Sequence, residues 1–287
     1  MTKNFDNYVL PTYGRQNVSF VKGKNSVLVD SEGKEYIDFA AGIAVCSVGH
    51  GNERLSKAIC DQVSNLIHVS NLYYIEPQAE CARKIVEISG YDMKCFFANS
   101  GAEANEGAIK IARKYGEIDG QTKRYKIITL EHSFHGRTIT ALKATGQEAM
   151  HNYFGPFPDG FVYAKTVEEV ESLLDDHTVA VMIELVQGEG GVQPQDRQKI
   201  QALEKLLKSR DILLMVDEVQ TGIYRTGEFL ASNLYGINPD VITLAKGLGG
   251  GVPIGVVMTS KKDIFKAGDH GSTFGGNYLS TAAANCF

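Results

Sequence analysis

The stretch VITLAKGLGGG, residues 241–251, holds the decisive pattern. Val241, Ile242, Leu244 and Ala245 read as one short buried strand, which stops at Lys246 and runs into glycine. A cation closing an apolar strand is costly unless something pairs with it or uses it. Gly247, Gly249, Gly250 and Gly251 allow a sharp turn or a close approach by another group. A dinucleotide loop, a phosphate loop and a catalytic lysine all meet that description.

The same unit recurs outward from this point. MKCFFAN (93–99), RYKIITLE (124–131), TVAVMIELV (178–186), DILLMVDEVQ (211–220) and IGVVMTS (254–260) are short apolar runs. GAEANEGAIKIARKYG (101–116) and DRQKIQALEKLLKSR (196–210) lie among them with helical spacing. Continuous apolar strands joined by helices predict an α/β fold with a mostly parallel central sheet covered on both faces. Nearer the start, SVLVDSEGKEYIDF (26–39) reads as a hairpin and AAGIAVCSVGHGN (40–52) as a loop lining something. NERLSKAICDQVSNLIH (52–68) and PQAECARKIVEIS (77–89) read as amphipathic helices, the first with Leu55, Ile59, Val63 and Leu66 on one face.

Composition narrows the function classes. A net charge of -5 gives no support to a nucleic-acid or acidic-membrane partner. The 5 cysteines are scattered without a CxxC pair, so neither a zinc site nor a disulfide scaffold is expected. No run of about 18 apolar residues is present, and the first residues lack a signal-peptide core, so a cytoplasmic protein is expected.

Ligands of parallel sheets bind beyond the carboxyl ends of the strands. Beyond the first, Ser100 and Glu103 form an S-x-x-E capping box, with Gly101 and Ala102 leaving amide groups bare for an anion. Beyond the second, HSFHGRT offers Phe134 and Arg137. His132 and His135 lack further ligands nearby, so no metal is expected. Glu184 and Glu189 stand in a glycine-rich loop beyond the third. Beyond the fourth, Asp217 closes the run ILLMV and needs a partner: an arginine, a metal or a protonated ring nitrogen. No G-x-x-x-x-G-K-[ST] accompanies it, which argues against a P-loop enzyme. GLGGG lacks the order and the context of a dinucleotide fingerprint, which argues against a dehydrogenase. An anion site, an aromatic with an arginine, a buried acid, a lysine on a glycine loop and a Ser-Thr pair together suit pyridoxal phosphate.

The motifs FAAGIAVCSVGH, HVSNLYYIEPQ, FFANSGAEANEGAIKIARK, FHGRTITAL, VQGEGGV, DEVQTGIYRTG, AKGLGGGVPIG and GSTFGGN, in this order, resemble the class III (ornithine-type) aminotransferases of PLP fold-type I. Within that class they are most similar to the acetylornithine aminotransferase subfamily. The resemblance implies a Schiff base between Lys246 and pyridoxal 5'-phosphate, Asp217 on the ring nitrogen, and Gln220 on the ring hydroxyl. It implies Phe134 stacked on the ring, with Ser100, Gly101 and Ala102 on the phosphate and Glu218 and Val219 completing the cofactor site. Thr273 would reach the phosphate of a partner subunit, so a homodimer with shared active sites is implied. Arg137 would bind a substrate carboxylate, Ser272 would touch the substrate side, Glu189 would gate an arginine, and Glu184 would stand behind them.

The implied reaction is transamination of N2-acetylornithine with 2-oxoglutarate in arginine biosynthesis. Ornithine, N-succinyl-diaminopimelate and 4-aminobutyrate remain alternative substrates, and a non-catalytic PLP-binding fragment is the reading from another class. The resemblance divides the chain into an N-terminal segment, 1–60, that forms part of a small domain, and a large PLP-binding domain, 61–287. The C-terminal small domain, with its carboxylate-binding arginine, is expected to be missing. Leu185, Asn52, Glu53 and Tyr278 depart from the family pattern beside the chemical groups, so changed loop stiffness is expected there.

Overall fold

Among the described residues, two larger sheets and a two-stranded ribbon organise the chain, and the largest sheet carries the cavity. The computed structural model describes residues 2–118 and 123–286. Strands β1 (Phe20–Lys24), β2 (Val27–Asp30) and β3 (Glu35–Ile37) form an antiparallel sheet. The expected hairpin is its β2–β3 half. Asp30 Oδ1 accepts from Glu32 N and Lys34 N, both at 2.9 Å, which closes the turn.

The second sheet has seven strands: β4 (Lys94–Ala98), β5 (Lys126–Leu130), β6 (Phe161–Ala164), β7 (Thr178–Ile183), β10 (Leu213–Asp217), β11 (Val241–Leu244) and β12 (Gly255–Thr259). Their spatial order is β4-β12-β11-β10-β7-β5-β6. The pairs among β11, β10, β7, β5 and β6 are all parallel. β12 alone is reversed, antiparallel to both β11 and β4. The link from Ala245 to Ile254 is too short for a helical crossover, so the chain must turn back.

The strands sort their residues between two cores. Leu214 and Val216 face the helix Arg197–Ser209 through Ile200, Leu203 and Leu207, whereas Leu213 and Met215 face the helix Gly101–Glu117 through Ile109 and Ala112. Each such aliphatic side chain gains about 1.5–3 kcal/mol on burial, so the sheet interior dominates the stability of this layer. Asp196 caps the first of these helices by accepting from Lys199 N at 2.9 Å. Ser100 caps the second, accepting from Glu103 N at 3.2 Å. The return bond of the expected capping box goes one residue back: Glu103 Oε2 accepts from Asn99 N at 3.1 Å.

Two local expectations are corrected, at 178–186 and in the helix after residue 52, and the loop 40–52 gains a defined turn. The run 178–186 is not one strand: β7 stops at Ile183, and β8 (Val186–Gln187) pairs with β9 (Gln193–Pro194) in a small ribbon. Glu184 breaks the ladder because its carboxylate turns to the chain after β5 and accepts from Phe134 N at 2.9 Å. In the loop 40–52, residues Ala41–Ala44 coil into a left-handed turn. The apolar face of the helix Glu53–Asn65 buries Leu55 but leaves Val63 45% exposed, with Leu66 just beyond it 39% exposed.

The departures from the family pattern are structurally satisfied. Asn52 caps the helix Glu53–Asn65 through Leu55 N at 3.0 Å. Tyr278 opens the helix Tyr278–Ala284 behind the cap Asn277, and Leu185 is fully buried in the core. Among the described residues, no helix is long and apolar enough to cross a membrane.

Candidate active site

Five strands of the large sheet that run in the same direction each deliver one part of the site at their carboxyl ends. Asn99–Ala102 follow β4, Phe134–Arg137 follow β5, Glu184 follows β7, Asp217 closes β10 with Val219 and Gln220 beyond it, and Lys246 follows β11. All line one cavity of about 400 Å³, joined by Val45, Glu189 and residues 251–254. That volume suits a small cofactor with part of a substrate.

Lys246 stands at the turn after β11 with φ 43, in the left-handed region. A non-glycine residue there is strained, and such strain gathers where a side chain must be aimed for function. Burial lowers the pKa of its ammonium group below the ordinary lysine value, against the opposing pull of Asp217, Glu189 and Glu184. A lysine with a lowered pKa holds more of the neutral amine, the form that attacks a carbonyl.

Asp217 is held by its own chain. Its Oδ2 accepts from Asn105 Nδ2 at 2.8 Å and lies 2.8 Å from His135 Nδ1. Its Oδ1 accepts from Val219 N at 3.0 Å. Asn105 Nδ2 also donates to the His135 carbonyl at 2.6 Å, so acid, imidazole and amide form one unit. Burial opposes the charged form of His135, but the Asp217 carboxylate outweighs it and raises the imidazole pKa. Burial likewise pushes the Glu184 carboxyl up to about 7.

The helix start after β4 is bare where an anion would sit. A Cβ on Gly101 would meet Val219 Cγ1 at 2.7 Å, and one on Gly136 would meet Ala102 Cβ at 2.8 Å. Glycine is therefore required on both sides of the Ala102 amide. Next in the chain after Gly136, Arg137 lies with its guanidinium carbon 5.6 Å from the Phe134 ring centroid.

Three expected residues do not line the cavity. Glu218 is fully buried and faces the helix Ala231–Tyr235, accepting from Thr221 Oγ1, Ala231 N and Ser232 N. Ser272 Oγ accepts from Asn99 Nδ2 at 3.1 Å at the outer edge of the site. Thr273 is exposed. Conversely, Asn105 and His135 belong to the site without a sequence argument having placed them there. The unsatisfied need of Asp217 for partners was the signal available.

Residues 10–287 match the family described as aminotransferase class-III. The chain belongs to that family. An acetylornithine aminotransferase of Wolinella succinogenes is 73% identical over 277 residues, covering 96% of this chain and 70% of that protein. An acetylornithine aminotransferase of Caldanaerobacter subterraneus is 52% identical, covering 96% of this chain and 71% of that protein. The crystal structure of the ornithine aminotransferase from Toxoplasma gondii superimposes with a TM-score of 0.93 at 37% identity, over 98% of this chain and 68% of that one.

The class-III aminotransferases use pyridoxal phosphate, and the cavity fits it. Asn105 Oδ1 and His135 Nε2 are buried at the cavity without a hydrogen-bond partner in the protein. The bare helix start, an acid, and a lysine with a lowered pKa complete a donor set suited to a phosphorylated pyridine aldehyde. As an aminotransferase, the protein acts on an amino donor and a keto acid.

Proposed function

We propose that the protein transfers the terminal amine of N2-acetylornithine to 2-oxoglutarate, as part of arginine biosynthesis in the cytoplasm. The observation that carries this reading is the convergence of Lys246, Asp217 and the Gly101–Ala102 helix start on one cavity, in a chain 73% identical to an acetylornithine aminotransferase.

Pyridoxal phosphate, when bound, supplies an aldehyde for the amine and a ring that stores the electron pair left when the substrate carbon loses its proton. Lys246 Nζ would anchor it and, once released, would carry the proton from the substrate carbon to the cofactor carbon that bore the aldehyde, as general base and then acid. Asp217 would face the ring nitrogen, with Asn105 and His135 fixing the carboxylate. Gln220 would bond the ring hydroxyl, Phe134 would cover the ring, and Ser100, Gly101, Ala102 and Val219 would hold the phosphate. Arg137 takes the substrate carboxylate far from the reacting amine, and Glu189 stands ready to pair with a second cation.

We also propose a homodimer in which Thr273 reaches the partner's phosphate and Ser272 approaches the substrate side. Phe39, Leu72, Tyr73, Tyr74 and Phe274 are large apolar side chains left exposed, which favours such pairing. The division of the chain near residue 60 into a small-domain portion and a large domain belongs to the same reading.

Borohydride reduction tests the anchor. The full-length protein should trap the cofactor covalently, and Lys246→Ala should not. Trapping at an unchanged level in Lys246→Ala would sink the assignment. Comparing turnover of acetylornithine with that of ornithine tests the substrate, and a preference for ornithine would reassign it.

A further inference from the structure

The left-handed turn Ala41–Ala44 sits beside the cavity, and its backbone angles demand an explanation. Its φ values are 47, 64, 62 and 62, and only the second residue, Gly42, is a glycine. Each of the other three holds its Cβ in a sterically disfavoured position, so neighbouring contacts must impose the conformation.

Asp38 and His50 supply those contacts from the two ends of the loop. Asp38 Oδ1 accepts from Ala40 N at 3.0 Å and Ala41 N at 2.9 Å, at the entry to the turn. Its Oδ2 lies 2.7 Å from His50 Nε2, across the loop. The hydrogen bond from His50, followed by that from Ala41 N, holds the Asp38 carboxyl below the ordinary carboxylate range. His50 is in turn fixed to the small sheet. It exchanges two backbone bonds of 2.8 Å with Asn25, and a Cβ on Gly23 would fall 2.8 Å from His50 Cβ.

Between these two fixed ends the loop touches the active site twice. Val45 lines the cavity. Ser47 Oγ lies 2.5 Å from where a Cβ on Gly247 would be, at the residue after Lys246.

We propose that Asp38 and His50 are positioning residues for the reaction: their pairing clasps the loop 40–50 so that the left-handed turn holds Val45 as the substrate-side wall beside Lys246. The proposal rests on the reading that Lys246 anchors the cofactor in this cavity. Neither Asp38 nor His50 lines the cavity, so opening the clasp frees the wall and leaves the anchor in place. Substrate binding weakens while cofactor binding and the chemical step persist.

The experiment compares His50→Ala, Asp38→Ala, their double variant, and His50→Gln, all as full-length holoenzyme. Each alanine variant should raise the KM of the amino donor about tenfold and change kcat less than about threefold. Cofactor absorbance and borohydride trapping should match wild type. The double variant should be no worse than the worse single, because both remove one interaction. His50→Gln, which keeps an N–H within reach of Asp38, should recover most of the loss.

A donor KM unchanged in both single variants would overturn the proposal, and so would loss of the cofactor in step with the KM. Should the alanine variants not fold, Asp38→Asn decides the matter. It keeps the acceptor for Ala40 N and Ala41 N but weakens the pairing with His50, so an intermediate KM rise supports the clasp and no rise overturns it. Failure of the Lys246 reading would show separately, as cofactor trapping that survives Lys246→Ala.

Discussion

His135 Nδ1 and Asp217 Oδ2 stand 2.8 Å apart with side chains 0% and 4% exposed. A pair so enclosed is hardly screened by solvent, and the loss of one partner leaves the other poorly compensated. Replacing His135 with leucine should lower kcat/KM about 10–100-fold and shift the pH titration of the bound cofactor's absorbance. His135→Asn, which can still donate to Asp217, should restore part of both. A titration unmoved in His135→Leu would limit the imidazole to packing.

Glu184 gives a stability prediction with a definite sign. Burial holds its carboxyl at about 7, above the ordinary 4.5. Between those values the folded chain binds more protons than the unfolded one, so the contribution to stability is full below 4.5 and falls as pH rises to about 7. Glu184→Gln removes this term and keeps an acceptor for Phe134 N. Its melting temperature relative to wild type should therefore rise between about pH 5 and pH 8. A constant difference across that range would contradict the assignment.

Gly188 leaves space for Gln220. A Cβ at residue 188 would sit 1.8 Å from Gln220 Oε1. The obstacle is the tip of a flexible side chain, so Gly188→Ala should fold with stability within about 1 kcal/mol of wild type. Displacing Gln220 should nonetheless weaken cofactor binding, measured by dialysis against buffer and loss of absorbance.

Thiol labelling should follow burial. Burial pushes the thiols of Cys81 and Cys95 up to about 12, whereas Cys60 is exposed. The thiolate is the reactive form. An alkylating reagent should therefore modify Cys60 first, and Cys81 and Cys95 only on unfolding, as peptide mass mapping would show.

Much of the fold was legible because its signals are local. Asp217 closing an apolar run, Lys246 before glycines, and the Ser100–Glu103 box are each visible within a few residues. His135 and Asn105 were not legible as partners of Asp217, because 82 and 112 residues separate them from it along the chain. Nor did the apolar run of β12 disclose its direction, since a buried strand reads alike both ways. Glu218 misled for a related reason. It neighbours Asp217 in sequence, but the chain bends there and turns its carboxylate to Ser232.

The reversal of β12 works as a spacer. It lies between β4 and β11, and Gly255 at its start packs so closely that a Cβ would fall 2.2 Å from the Ser100 carbonyl oxygen. The strand leading to Lys246 and the strand leading to the Ser100 helix start are therefore held two strand widths apart, about 10 Å, by hydrogen-bonded backbone. Side-chain repacking can alter what fills the cavity, but the gauge between its two anchoring ends is set by the sheet itself.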